Sequence, residues 1–138
     1  MNIRYPAIFE EQKEGGYCVS FPDLPEAISE GDTLDEAMFN AAEVLTLTLD
    51  GRLEEGMEIP VPSTKVKGAK LISPDAKTQA ALLLRQARGT RPLSDVAAAL
   101  GTSWPAAQRL EDPRHWPSLR QLDRAARACG HRLVLSLE

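Results

Sequence analysis

Apolar and polar positions alternate from the start of the chain. Ile3, Tyr5, Ala7 and Phe9 share one parity, which predicts a strand with one buried side. Glu14-Gly15-Gly16 supplies a turn, and Tyr17, Val19 and Phe21 then alternate with Cys18 and Ser20 on the other side. The pair reads as a β-hairpin. Pro22 and Pro25 end the second strand, because proline cannot donate to a ladder. Ala27–Ser29 is a candidate third strand. The period then changes: Leu34, Ala37, Met38, Ala41, Leu45 and Thr48 fall on one helical face. Thr33 and Glu36 have capping-box spacing, Asp35 and Glu36 suit a helix N-terminus, and Gly51 is placed to end the helix. Met57–Pro62 contains two prolines and reads as an extended loop; Val66–Ile72 reads as a last strand. The first half is therefore β-β-β-α-β, a small sheet carrying one helix.

The pattern restarts at Ser73. Ser73 is placed as a cap, with Pro74 at the first helical position. Ala76, Ala80, Leu83, Leu84 and Ala87 form an apolar face that ends at Gly89. Pro92 leads into a shorter helix with Val96, Ala97 and Leu100 inward, and Gly101 makes a turn. Ser103 caps the next helix, where Ala107 and Leu110 face inward and Trp104, Ala106, Gln108 and Arg109 are left outward. Two short helices joined by a glycine-containing turn have the shape of a helix-turn-helix. A structural helical hairpin, with Trp104 tucked against a neighbour, is the plain alternative. Ser118 and Gln121 repeat capping-box spacing ahead of a further helix, with Leu119, Leu122, Ala126 and Cys129 on one face and Gly130 at its end. Leu133, Leu135 and Leu137 alternate, so the chain closes on a strand. The second half offers it no partner, and a lone apolar strand is adhesive. It is expected to pair with its two-fold mate and make a dimer, with a return to the first sheet as the other route. The expected fold class is α+β, with domains at residues 1–72 and 73–138.

Charge separates the same two halves. Residues up to Ile72 hold 6 basic and 14 acidic side chains, and those from Ser73 on hold 10 and 6. A basic module suits phosphate, and an acidic one suits a basic protein partner or is simply solvated. No set of acids lies on adjoining strands in the way a hydrolase needs, and the first half has no histidine for base catalysis. Asp23 is the one carboxylate considered for a metal, but a site needs several oxygen ligands held together. His115 and His131 stand alone, without zinc spacing. No metal, cofactor or catalytic residue is expected. Cys18 and Cys129 read as two free thiols of a reducing compartment. No apolar run reaches the roughly 18 residues of a membrane span, and no basic-then-apolar signal opens the chain. A cytoplasmic protein is expected.

Three ordered motifs now bear on function: Tyr17-Cys18-Val19-Ser20-Phe21-Pro22-Asp23-Leu24-Pro25, Gly31-Asp32-Thr33-Leu34-Asp35-Glu36-Ala37 and Ile59-Pro60-Val61-Pro62-Ser63. Together they resemble the HicB antitoxin family over about Ile3–Ser63. The resemblance implies a truncated RNase H-like sheet without nuclease activity, and a partner: the HicA toxin, a small basic ribonuclease that cleaves mRNA and whose active site the antitoxin blocks. Glu26 departs from the glycine common after the second proline, which implies a changed turn. Glu10, Glu11 and Glu14, near the hairpin turn, are the candidate toxin contacts.

Gly101-Thr102-Ser103-Trp104-Pro105-Ala106-Ala107-Gln108-Arg109-Leu110-Glu111 resembles the turn and recognition helix of Cro/C1-type (XRE-like) repressors, and Pro117-Ser118-Leu119 with Leu122 and Ala126 resembles their fourth helix. The match spans about Ala76–Gly130. It implies a dimer, or dimer of dimers, on a palindromic operator, with Thr102, Ser103, Trp104, Ala106, Gln108 and Arg109 at the DNA and Arg91 and Arg114 on phosphates. Two positions depart from that family: Leu93 stands where a phosphate-binding glutamine is common, and Trp104 where a polar base reader is. Arg109 has a rival role, turned toward Glu111 or the scaffold. The combined expectation is an antitoxin that represses its own operon. A stand-alone repressor with a ligand-sensing first half is the alternative.

Overall fold

The computed structural model describes residues Met1–Glu138. The order of elements is β1 (Tyr5–Glu11), β2 (Tyr17–Phe21), β3 (Leu24–Gly31), α1 (Leu34–Glu54), β4 (Lys70–Ile72), α2 (Ala76–Arg88), α3 (Leu93–Leu100), α4 (Trp104–Arg109) and α5 (Leu119–Ala128). This is an α+β chain, and it divides into two compact units, Met1–Asp75 and Ala76–Glu138.

In the first unit the strands form one antiparallel sheet in the order β3-β2-β1-β4. Tyr5, Ala7, Val19, Phe21 and Ala27 are buried on the side that receives α1, whose own buried positions are Ala37, Ala41, Leu45 and Leu49. The third strand is longer than the Ala27–Ser29 alternation suggests, running from Leu24 to Gly31. It pairs with β2 along its length, with a register shift at Ser20/Phe21. The last strand is shorter than Val66–Ile72; only Lys70–Ile72 pairs, against Tyr5–Ala7. The approach of β3 to α1 requires glycine at 31. A Cβ there would collide with the backbone of Ala37.

α1 starts where expected: the Thr33 hydroxyl accepts from Glu36 N–H at 3.1 Å, forming the cap half of the box. It does not end at Gly51. The helix continues to Glu54, and Gly56 closes it, with Gly56 N–H on Leu53 C=O and Met57 N–H on Arg52 C=O, the Schellman arrangement. Packing of Leu49 and the anchoring of Arg52 carry the helix past a weak residue.

In the second unit α2 begins at Ala76, beyond the Ser73 cap read from the sequence. Asp75 N–H donates to Thr46 Oγ1 of α1 at 2.9 Å, and Pro74 is buried. Ser73–Asp75 is thereby held as the end of the first unit. The buried face of α2 is Thr78, Ala80, Ala81, Leu82 and Leu84; Ala76 is exposed. α3 ends at Gly101 (φ 64°), and Thr102 N–H returns to Ala97 C=O. Only glycine takes that left-handed turn without strain. α5 carries the full capping box: Gln121 N–H on Ser118 Oγ at 3.1 Å and Ser118 N–H on Gln121 Oε1 at 2.8 Å. Its buried residues are Ala125 and Ala126, with Cys129 behind them, while Leu119 is exposed.

His131–Glu138 forms no β-ladder within the chain, so the strand expected from the alternation of Leu133, Leu135 and Leu137 is not formed in the single chain. Leu135 and Leu137 are exposed and Leu133 is half-buried. No helix is long and apolar enough to cross a membrane.

Candidate functional site

Two surfaces carry the chemistry. In the acidic unit the first and third sequence motifs meet at one clamp, joined by Arg52 of α1. Asp23, in the β2–β3 turn, accepts from Ser63 N–H at 2.9 Å and from the Ser63 hydroxyl. Tyr5 O–H donates to Pro60 C=O at 2.6 Å. Arg52 donates from Nε and Nη2 to Glu26 at 2.7 and 2.9 Å, and from Nη1 to Glu58 C=O at 2.9 Å. The loop after α1 is thus tied to both the sheet and the helix. Asp23, considered above for a metal, is a loop anchor. Glu26 forms a fork-to-fork ion pair, a geometry that planar guanidinium suits. The pair holds the Glu26 carboxyl down at about 2, chiefly through the Arg52 hydrogen bond. Burial, and then the nearby Asp23 charge, push the Tyr5 phenol up to about 12.

The three candidate contact acids are dispersed. Glu10 sits on β1 in register with Cys18. Glu11 accepts from Tyr17 O–H at 3.3 Å, and Glu14 lies in the exposed turn. No group of acids, histidines or cysteines in the chain converges to metal-site geometry.

In the basic unit the turn Gly101-Thr102-Ser103 presents α4. Ser103 Oγ accepts from Ala106 N–H at 3.3 Å and fixes the first turn. Ala107 is buried beneath it. Thr102, Ser103, Gln108 and Arg109 are exposed, Trp104 is 48% exposed and Ala106 is half-buried. Trp104 is therefore not tucked into a neighbouring helix. Arg109 is not turned toward Glu111 either, because Glu111 is occupied. Arg88 donates to it from Nε at 2.6 Å and from Nη2 at 3.0 Å, in a largely buried pair.

The two arginines assigned to phosphates fare differently. Arg91 donates to Ala87 C=O at 3.1 Å, Arg88 C=O at 3.3 Å and Cys129 C=O at 2.8 Å. These are carbonyls at the ends of two helices, groups that lack intrahelical partners. Arg91 is thus a scaffold cap, and little of its donor capacity is left for a phosphate. Arg114 is exposed and pairs locally with Asp112 at 3.2 Å, which holds the Asp112 carboxyl below its usual range. Sequence reasoning missed the Arg88–Glu111 and Arg52–Glu26 pairs, whose partners lie too far apart in the chain for any local pattern to join them.

A family profile described as the HicB-like antitoxin of bacterial toxin-antitoxin systems matches residues 4–80. The chain belongs to the HicB-like antitoxin family. The match covers all but the first three residues of the acidic unit, and the start of α2. Relatives extend the likeness to both units. Antitoxin HicB 2 of Photorhabdus laumondii is 38% identical over 97% of this chain and 96% of its own length. Antitoxin HicB of Escherichia coli K12 is 31% identical over 96% and 98%. Among solved structures, the N-terminal domain of Burkholderia pseudomallei antitoxin HicB aligns with 53% of this chain and 99% of its own, at 26% identity and a TM-score of 0.46. This HicB-like chain thus has an antitoxin's role.

Proposed function

We propose that the chain inhibits a HicA-like mRNA-cleaving toxin through its acidic unit and represses its own operon through its basic unit. The observation that carries the first half is the family match over residues 4–80, which coincides with the unit of negative charge. An acidic, rigidly clamped sheet is suited to cover the cationic surface with which a ribonuclease holds RNA. Co-expression with a HicA-like toxin should give a stable complex and abolish its cleavage of RNA. Cleavage that continues with the chain in excess would reject the reading.

For the second half, the supporting observation is the outward row on α4. Gln108 and Arg109 are exposed beside Trp104 while Ala107 packs inward. We read α3-turn-α4 as a helix-turn-helix, with α4 entering the major groove. Two copies, joined through Leu133, Leu135 and Leu137, would set half-sites about 34–36 Å apart on a palindromic operator. Changing Arg109 to Ala should then weaken operator binding by about 1–3 kcal/mol in a gel-shift titration. Unchanged binding would remove Arg109 from base readout.

A further inference from the structure

The sheet of the first unit has a helix on one side only. On its other side, directly paired residues stand together, since cross-strand partners point to the same face. Ile8 pairs with Ser20 and Ser20 with Ile28; Glu10 pairs with Cys18 and Cys18 with Glu30. Leu71 of β4 pairs with Pro6, which makes it a diagonal neighbour of Ile8. Ile28 is 66% exposed, Leu71 is 60% exposed, and Ile8 is half-buried. The solvent face of an antiparallel sheet is ordinarily polar. Here Ile28 and Leu71 stand exposed on the two edge strands, with exposed Ser20 on β2 and half-buried Ile8 and buried Pro6 on β1 between them, beside a row that ends in a carboxylate on each side.

The outer side of α1 offers a contrast. Phe39 and Leu47 are exposed there, but they stand two helical turns apart with Glu43 between them. Single exposed apolar residues are common and signify little. The sheet residues share one face of four paired strands: Leu71 and Ile8 are diagonal neighbours, and Ile28 lies across Ser20 from Ile8.

We infer that this open face, running from Ile28 on β3 past Cys18 on β2 to Leu71 on β4, is where the toxin docks. The occupant is the small basic ribonuclease of the reading above, on which this inference rests. Its apolar contact would cover Ile8, Ile28 and Leu71, and its cations would meet Glu10 and Glu30. The charge is complementary: the face bears carboxylates, and the unit as a whole is strongly acidic. Of the three acids proposed from the sequence, Glu10 belongs to this face. Glu11 lies on the alternate parity of β1.

The chain carries its own probe. Cys18 is exposed on this face, and the other thiol, Cys129, is buried. The full chain, alone and co-purified with a HicA-like toxin, is treated with N-ethylmaleimide, and the Cys18 peptide is followed by mass spectrometry. Alkylation should slow about tenfold or more in the complex, because a packed interface core excludes solvent and reagent. A Leu47→Cys variant in a Cys18→Ser background reports on α1 and should keep its free rate. Ile28→Lys should abolish co-purification while leaving the thermal unfolding of the isolated chain near that of the parent. A complex in which Cys18 reacts at the free rate, or in which the Leu47→Cys thiol is the one protected, overturns the docking face and leaves the antitoxin reading standing. Failure of the unaltered chain to form any complex overturns that reading, and this surface with it.

Discussion

Arginine does different work at each place it occurs. Arg52 and Arg88 tie elements together through carboxylates, Arg91 caps helix ends, and Arg109 points outward unpaired. Sequence position alone did not separate these roles, because each depends on a partner brought in by the fold. The Arg52–Glu26 pair has a pH signature. The Glu26 carboxyl is lowered from 4.5 to about 2, so its stabilisation is present above the unfolded value and is lost as pH falls between those two limits. The Glu26 side chain is 45% exposed, so solvent screening keeps the pair to about 0.5–1 kcal/mol. Glu26→Gln should lower stability by that amount at neutral pH and by nothing near pH 2, in urea titrations of the first unit. Tyr5 runs the other way. Its phenol is raised to about 12, so its contribution is complete below the unfolded value of about 10 and is lost above it. Tyr5→Phe should cost about 1 kcal/mol at neutral pH and remove the alkaline loss; an unaltered alkaline limb would contradict the burial that raises the phenol.

At the scale of elements, the local signals that hold are those with a local cause. The hairpin, the Thr33, Ser103 and Ser118 caps and the Gly101 turn follow from alternation, side-chain oxygens and glycine. Each needs only residues close in sequence. The misjudged ends have tertiary causes. α1 runs through Gly51 because Leu49 is buried and Arg52 is anchored beyond it; α2 starts late because Asp75 N–H is bound to Thr46. Gly51 is then a mid-helix glycine with open space around its Cα. Gly51→Ala should stabilise the first unit by about 0.5–1 kcal/mol, seen as a raised melting temperature. A lowered one would show that space to be occupied. In the second unit, Glu111→Ala strands Arg88 in a largely buried position and should cost about 2–3 kcal/mol. That loss should precede any loss of DNA binding and be insensitive to salt, whereas phosphate contacts are strongly salt-dependent.

At the scale of the whole molecule, the charge asymmetry and the three ordered motifs made the acidic unit and its family legible before any coordinates. The first and third motifs mark a clamp more than a contact surface: Asp23 holds Ser63, and Tyr5 holds Pro60. The candidate docking face was not legible, because Ile8, Cys18 and Ile28 become neighbours only through strand pairing. The terminal segment remains the proposed means of assembly. Deleting Arg132–Glu138 should convert a dimer to a monomer by light scattering, and a dimer of unchanged mass would assign assembly elsewhere. A stand-alone repressor would need no protein partner, so the readings part on one titration. The purified chain is added to a HicA-like toxin while cleavage of an RNA substrate is followed. The account predicts that cleavage falls in proportion to added chain and stops near one chain per toxin. Cleavage that persists with the chain in excess would contradict it.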